Sequence, residues 1–148
     1  MVAFYLDQDL ELDNRLQRFQ TTDDRIDTIH TMHDYKKLKI WKESVYFAVE
    51  IYKVTITFPK DEVYGLVNQL RRASISIPSN IAEGSKRSTK KDFKHFLMIA
   101  HGSGAEVETQ LLISKELNFI SEKKYLELVT KLDEIMRMMA VFIKSISV

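Results

Sequence analysis

Apolar residues recur at helical spacing along four stretches of the chain. No stretch alternates apolar and polar residues over a comparable length, so the pattern predicts an all-α protein. In the first helix, about Lys36 to Thr57, the residues Leu38, Trp41, Val45, Val49, Tyr52 and Ile56 form a stripe expected to face the core, and Pro59 stops the helix. A second stripe, Ile40, Phe47, Ile51, Val54 and Phe58, is spaced 7, 4, 3 and 4, like a coiled-coil seam. One helix of a small bundle cannot bury both sides. The second stripe is therefore expected outside, with Tyr64 and Ile75 of the next helix and Ile99, Ile113 and Leu117 of the third, as a surface for self-association. Cover by residues 1–33 is the alternative.

The second helix is expected to begin near Asp61, an N-cap residue following Pro59, with Val63, Leu66, Leu70, Ala73, Ile77 and Ile81 inward. Its phase runs straight through Pro78, which reads as a kink in a continuing helix, a helix ending at Ile77 being the alternative. Gly84 supplies a stop. The third helix, about Thr89 to Leu117, opens on a capping-box pair, Thr89 and Asp92, and turns Phe93, Phe96, Leu97, Ala100, Gly104, Val107 and Leu111 inward. Gly102 and Gly104 lie mid-helix, where a close approach by a neighbour is expected. After a turn at 118–121, the fourth helix presents Tyr125, Leu128, Val129, Leu132, Met136, Met139, Ile143 and Ile146 as one wide stripe.

Short connections make sequential helices antiparallel, so residues 34–148 are expected to form an up-and-down four-helix bundle. In that topology the start of the first helix, the second connection and the end of the fourth helix lie at one end. Lys36, Lys37, Lys39, Lys42, Lys86, Arg87, Lys90, Lys91, Lys94 and Lys144 converge there. Lysines at helix N-termini oppose the helix dipole, at a few tenths of a kcal/mol each, so helix stability alone does not explain Lys36, Lys37 and Lys39 or Lys90, Lys91 and Lys94. Two helix N-termini with these side chains, and with Ser85, Ser88 and Thr89 as further donors, suit phosphates of RNA or DNA. An ordinary solvated lysine face is the bland alternative. Aromatic residues are not interleaved, so base stacking is not expected.

Charge sharpens this picture. The overall +1 averages two unlike segments. Residues 1–31 hold seven acids (Asp7, Asp9, Glu11, Asp13, Asp23, Asp24, Asp27) against Arg15, Arg18 and Arg25, which leaves −4, while the other 19 basic and 14 acidic residues leave +5. Residues 1–33 thus read as an acidic extension with at most a short helix around Leu12, Leu16 and Phe19. At 148 residues and 45% hydrophobic composition, the rest can fill one core. There is no cysteine, which removes disulfides and thiolate chemistry and fits a reducing cytoplasm. No apolar run suits a membrane span and the N-terminus does not read as a signal, so a cytoplasmic protein without membrane contact is expected.

Chemistry is expected to be absent. His95 and His101 lie about 120° apart on one helix, and the single Asp92-x-x-His95 lacks the paired, inward Glu-x-x-His motifs of di-iron bundles. His30 and His33 belong to the extension. Gly84, Gly102 and Gly104 match no phosphate-loop fingerprint, and Ser103 sits on no strand-to-helix turn. Glu106 and Glu108 point apart, and Glu108 with Asn80 reads as a structural polar contact. Neither a cofactor, a metal nor an enzymatic activity is expected.

The stretches YKKLKIWKES, FPKDEVYGLVNQLRRASISIPSNIAEG and FKHFLMIAHGSGAEVETQL resemble, in order, the four-helix-bundle proteins encoded within intervening sequences of some bacterial 23S ribosomal RNA genes. The middle stretch is the most specific, with Gln69, Arg71, Arg72, Ala73, Ser76, Ile77, Pro78 and Asn80 to Gly84. The resemblance covers most of 34–146. Family proteins begin close to the position of Met32, so residues 1–31 depart from the pattern, through an upstream start or a real extension. The resemblance implies a homo-oligomeric ring, a pentamer, without established enzyme activity. The related accessory proteins of diversity-generating retroelements associate with nucleic acid and a reverse transcriptase. It also implies structural roles for Pro78, Asn80, Gly84, Gly102 and Glu108, and leaves Arg71 and Arg72 open between subunit and phosphate contacts.

Two functions follow as expectations. One is a non-enzymatic oligomer that binds RNA or DNA through phosphates at its basic end. The other is an interaction scaffold whose basic end meets an acidic protein partner.

Overall fold

The computed structural model describes residues 34–147; the expected extension, its short helix, His30 and His33 lie outside them. Four helices follow in order: α1 (Lys39–Thr55), α2 (Leu66–Ser85), α3 (Lys90–Glu116) and α4 (Glu122–Ser145). Short 3-10 turns precede α1 (Tyr35–Lys37) and α2 (Lys60–Val63), and there is no strand among the described residues. Each helix packs on its sequence neighbours and α1 also meets α4, which closes the bundle. Tertiary pairs show the alternating directions. Arg71 near the start of α2 bonds Thr55 at the end of α1, and Lys131 early in α4 bonds Glu50 late in α1. At the far end Phe58 meets Phe119 with ring centroids 5.4 Å apart, and near the other end Phe93 meets Phe142 at 5.6 Å.

The inward stripes of α2, α3 and α4 follow the sequence pattern closely. Leu70, Ala73, Ile77 and Ile81 of α2 interdigitate with Phe93, Leu97, Ala100, Val107 and Leu111 of α3, and α4 adds Leu128, Leu132 and Met139. Phe96 is half-buried and Val63 is half-exposed, so neither belongs to the core proper. Helix α2 continues through Pro78, as its unbroken phase predicts. Its start differs from expectation: Asp61 lies in the 3-10 turn, α2 begins at Leu66, and the Glu62 carboxylate accepts from the Leu66 amide at 2.9 Å. Gly84 does not stop α2 but lies within its last turn. A Cβ there would stand 2.6 Å from Phe96 Cβ and 2.9 Å from Phe93 Cδ2, so the missing side chain lets α3 approach. Gly104 likewise makes room for Met136 of α4, whereas Gly102 faces open space.

On α1 the expected phase is reversed. Ile40, Phe47, Ile51 and Phe58 are buried within the chain, Ile51 completely, and Val54 packs half-buried against them. These five side chains are therefore not an intersubunit surface. The outward stripe is instead Val45 and Val49, both half-buried, with Tyr52 40% and Ile56 67% exposed, while Leu38 and Trp41 of the expected inward stripe do pack against the core. Tyr64, 91% exposed, and Ile75, 41% exposed, do face outward as expected, as do Ile99, Ile113 and Leu117. The reversal has a physical cause. Lys39, Lys42, Glu43, Glu50 and Lys53 occupy one arc of the helix, and apolar residues cover more than half of the circumference. Periodicity therefore admits either phase. The core takes the face that also carries the small residues Ser44, Ala48 and Thr55, and the two hydroxyls donate to the carbonyls of Ile40 and Ile51 one turn back.

Candidate nucleic-acid interface

Three separated parts of the chain form the basic end. The first is the 3-10 turn with the start of α1, the second the connection 86–89 with the first turn of α3, and the third the residues after α4. Two contacts join them. The Lys86 ammonium sits over the Tyr35 ring, 5.6 Å from its centroid, and the Lys94 ammonium donates to the Ile146 carbonyl at 3.3 Å. Tyr35 in turn packs edge-on against Trp41 at 5.0 Å, which fixes the turn against α1. The start of α3 is set by Thr89 as N-cap: the Asp92 amide donates to Thr89 Oγ1 at 3.0 Å, and the Thr89 hydroxyl donates to the Asp92 carboxylate at 2.6 Å, side chain to side chain where the expected capping box would engage the Thr89 amide. Lys90 and Lys91 thereby occupy the first two positions of α3.

The eight predicted phosphate ligands share this end but not one state. Lys37 is paired with Asp34 at 3.4 Å, Arg87 is paired with Glu83 and lies 4.7 Å from the Phe96 ring centroid, Lys86 covers Tyr35, and Lys94 ties down the C-terminal residues. Lys36, Lys39, Lys90 and Lys91 are exposed and make no ion pair with a described residue. The arrangement is four held cations that shape the surface and four available ones. No acidic residue stands in the first turn of α1, and Asp92 in that of α3 is engaged in its own cap. An anion approaching here meets fixed positive charge and the donor ends of two helices.

Arg71 and Arg72 lie elsewhere. Arg71 precedes Ser85 by fourteen residues of α2, about 20 Å along the axis. Its Nε donates to Thr55 Oγ1 at 2.8 Å and its guanidinium stacks 4.6 Å above Tyr52, so it joins α1 to α2 beside the outward apolar stripe. Periodicity carries no sign of that bond, because Thr55 reads as an ordinary helix-end residue. Asn80 donates to the carbonyl and hydroxyl of Ser76, which shares a 2.8 Å hydrogen bond with Ser103 across to α3. The structural polar contact thus uses Ser76 and Ser103, while the expected Glu108 is exposed.

Away from this end, ion pairing tunes three groups. A hydrogen bond from Lys124 holds the Glu127 carboxyl below its ordinary range, Glu50 holds Lys131 above its own, and Glu116 does the same for Lys115. These groups tie α4 to α1 and brace the third connection. Shallow grooves flank α4, one lined by Glu43, Phe47, Glu50, Lys131 and Ile135 and another by His101, Glu108, Asp133 and Arg137. No group of three His, Asp or Glu residues among the described residues is arranged to hold a metal ion. No helix among them is long and apolar enough to cross a membrane.

Comparison with known proteins places this geometry. The model of a family described as 23S rRNA-intervening sequence protein matches residues 36–141. A 1.70 Å crystal structure of a protein of unknown function from the S23 ribosomal protein family of Bacteroides thetaiotaomicron shares the fold, with a TM-score of 0.67. It is 24% identical over 72% of this chain and 96% of that one. No curated protein matches the chain.

Proposed function

Because the chain belongs to the 23S rRNA-intervening sequence protein family, we propose that it is a non-enzymatic, self-associating protein that binds RNA or DNA through phosphates at the basic end. The observation that carries this reading is the set Lys36, Lys39, Lys90 and Lys91, exposed and without described ion-pair partners at an end built from three parts of the chain. Phosphate contacts give affinity without sequence readout, and nothing beyond clustered cations and amide donors is needed for them.

Self-association rests on the outward stripe of α1. Tyr52 and Ile56, with half-buried Val45 and Val49, leave an apolar face along α1, and a face of this kind suits contact between copies. Closed homo-oligomers such as the implied pentamer would repeat the basic end around an axis and multiply its phosphate contacts. The test is anisotropy titration of labelled single-stranded RNA and of duplex DNA with the purified protein, its mass in solution recorded alongside. Binding that is abolished by the paired substitutions Lys90→Glu and Lys91→Glu supports the reading. Absence of binding to either probe at 50 mM salt would leave an acidic protein partner as the better account of the same surface.

A further inference from the structure

Phe96 reads from its phase as a core residue, so the pattern of the chain offers no base-stacking group at the basic end. The fold places it differently. Phe96 is only partly buried, and flat groups gather on it from two sides. The Arg87 guanidinium, from the connection 86–89, stands 4.7 Å from the centroid of the Phe96 ring. The exposed His95 imidazole lies 6.0 Å from the same ring, at 75° to it. Helix α2 holds this set in place twice. Glu83 in its last turn pairs with Arg87, and Gly84 lets its backbone close on Phe96. The Arg87 side chain still reaches solvent over 48% of its surface. The Tyr35 ring at the same end is not equivalent, because Trp41 packs against it edge-on and the Lys86 ammonium stands over its face.

We infer that Arg87, His95 and Phe96 form a stacking platform for an unpaired nucleobase, so that the basic end takes single-stranded rather than duplex nucleic acid. The inference rests on the phosphate-binding reading above and adds a base subsite to it. Aromatic rings and guanidinium planes are the surfaces on which splayed-out bases stack. Pairing with Glu83 balances the Arg87 charge, so what Arg87 adds here is a planar face more than a free cation. The available cations lie one helical turn away. Lys91 precedes His95 by four residues, which makes the two exposed side chains neighbours on α3, with Cβ atoms about 5 to 6 Å apart. A strand whose phosphates meet Lys90 and Lys91 therefore carries its bases within reach of the platform. In a duplex the base faces are already stacked on one another, and only the phosphates remain. The two cases order affinity in opposite ways: cations alone favour the duplex, whose charge density is higher, and a platform favours the single strand.

The test is anisotropy titration of the full chain at low salt with three labelled probes: a single-stranded RNA, a strand of the same length and phosphate number with abasic riboses throughout, and the duplex of the RNA with its complement. The RNA should bind about tenfold tighter than the abasic strand, the value of one well-stacked base, and more tightly than the duplex. The double variant Arg87→Lys with His95→Ser keeps the charge at position 87 and removes two flat groups from exposed positions. It should bind the RNA no better than the abasic strand while leaving affinity for the abasic strand unchanged, and its thermal unfolding should match that of the parent. Equal affinity of the parent for RNA and abasic strand, or tighter binding of the duplex than of the RNA, would overturn the platform and leave the phosphate-binding reading standing. A preference for bases that survives in the double variant would place the stacking elsewhere and overturn the assignment. Binding to none of the three probes would overturn the phosphate-binding reading and the platform together.

Discussion

Lys94, the fifth residue of α3, donates to the main-chain carbonyl of Ile146 at 3.3 Å, fifty-two residues further along the chain. The bond holds the end of the fourth helix against the start of the third and so completes the basic end. It also removes Lys94 from the cations available to a phosphate. Lys94→Gln should lower stability by about 1 kcal/mol in urea unfolding, through loss of a charged, partly buried hydrogen bond. RNA affinity should fall less than on loss of Lys90 and Lys91 together.

Lys90 and Lys91 present the opposite case. As the first two residues of α3 they stand where acids are favoured by the helix dipole. The variant Lys90→Glu with Lys91→Glu should therefore be as stable as the parent or more stable by a few tenths of a kcal/mol per site, while losing nucleic-acid affinity. Thermal unfolding and anisotropy on one preparation separate the two effects. A large drop in stability would show that the two lysines are structural.

The phase of α1 is tested by two isoleucines on one helix turn and a half. Ile51 is fully buried and Ile56 is 67% exposed. Ile51→Ala should destabilise by about 2 to 5 kcal/mol, and Ile56→Ala by no more than about 0.5 kcal/mol. Sedimentation of Ile56→Asp should show a shift toward smaller species. The reversed outcome, a small effect at Ile51 and a large one at Ile56, would restore the stripe that periodicity favours first.

That helix marks the limit of what periodicity could tell. The other three helices have one apolar stripe each, with phases that the core reproduces, and the Thr89 signal marks the start of α3; the start of α2 was not legible, because the helix begins at Leu66 with no side-chain cap from its N-cap residue. Short connections then suffice to place the lysines of three chain regions at one end. On α1 the apolar arc is too wide to choose a face. Ser44 and Thr55 can be buried because their hydroxyls bond within their own helix, and the tertiary contribution is Arg71, which takes Thr55 and Tyr52 as partners from α2. The division of the basic set into held and available cations was only half legible: the pairs of Lys37 with Asp34 and of Arg87 with Glu83 are three and four residues apart, whereas Lys86 and Lys94 take uncharged partners, the Tyr35 ring and the Ile146 carbonyl.

The glycines of α2 and α3 should respond with opposite signs. Gly84→Ala places a methyl group against Phe96 and Phe93 at the closest approach of α2 and α3, and should destabilise by about 1 to 3 kcal/mol. Gly102→Ala meets nothing within 4 Å in a helical, exposed position, and should stabilise by about 0.5 to 1 kcal/mol. Urea midpoints of the two variants check both.

The α1 and α4 ion pairs give a pH signature. The Glu127 carboxyl is held low by Lys124, so its contribution is fully present above the ordinary glutamate value of 4.5 and is lost as pH falls through the lower folded value. Lys131 is held high by Glu50, so its contribution is full below 10.5 and is lost as pH rises through the higher folded value. Glu127→Gln should flatten the acid limb of a stability profile and Lys131→Met the alkaline limb. Both effects should shrink in 0.5 M salt, since the pairs are solvent-accessible.

Whether the available lysines meet phosphates is read from the salt dependence of RNA affinity, measured for the parent and for the Lys90→Glu, Lys91→Glu variant. Log affinity should fall linearly with log salt for the parent, with a slope of about −3 if four lysines each meet a phosphate of a single strand. The slope for the variant should be shallower by about 1.4 or more. A parent slope near zero, or equal slopes for the two proteins, would show that these lysines do not bind phosphates.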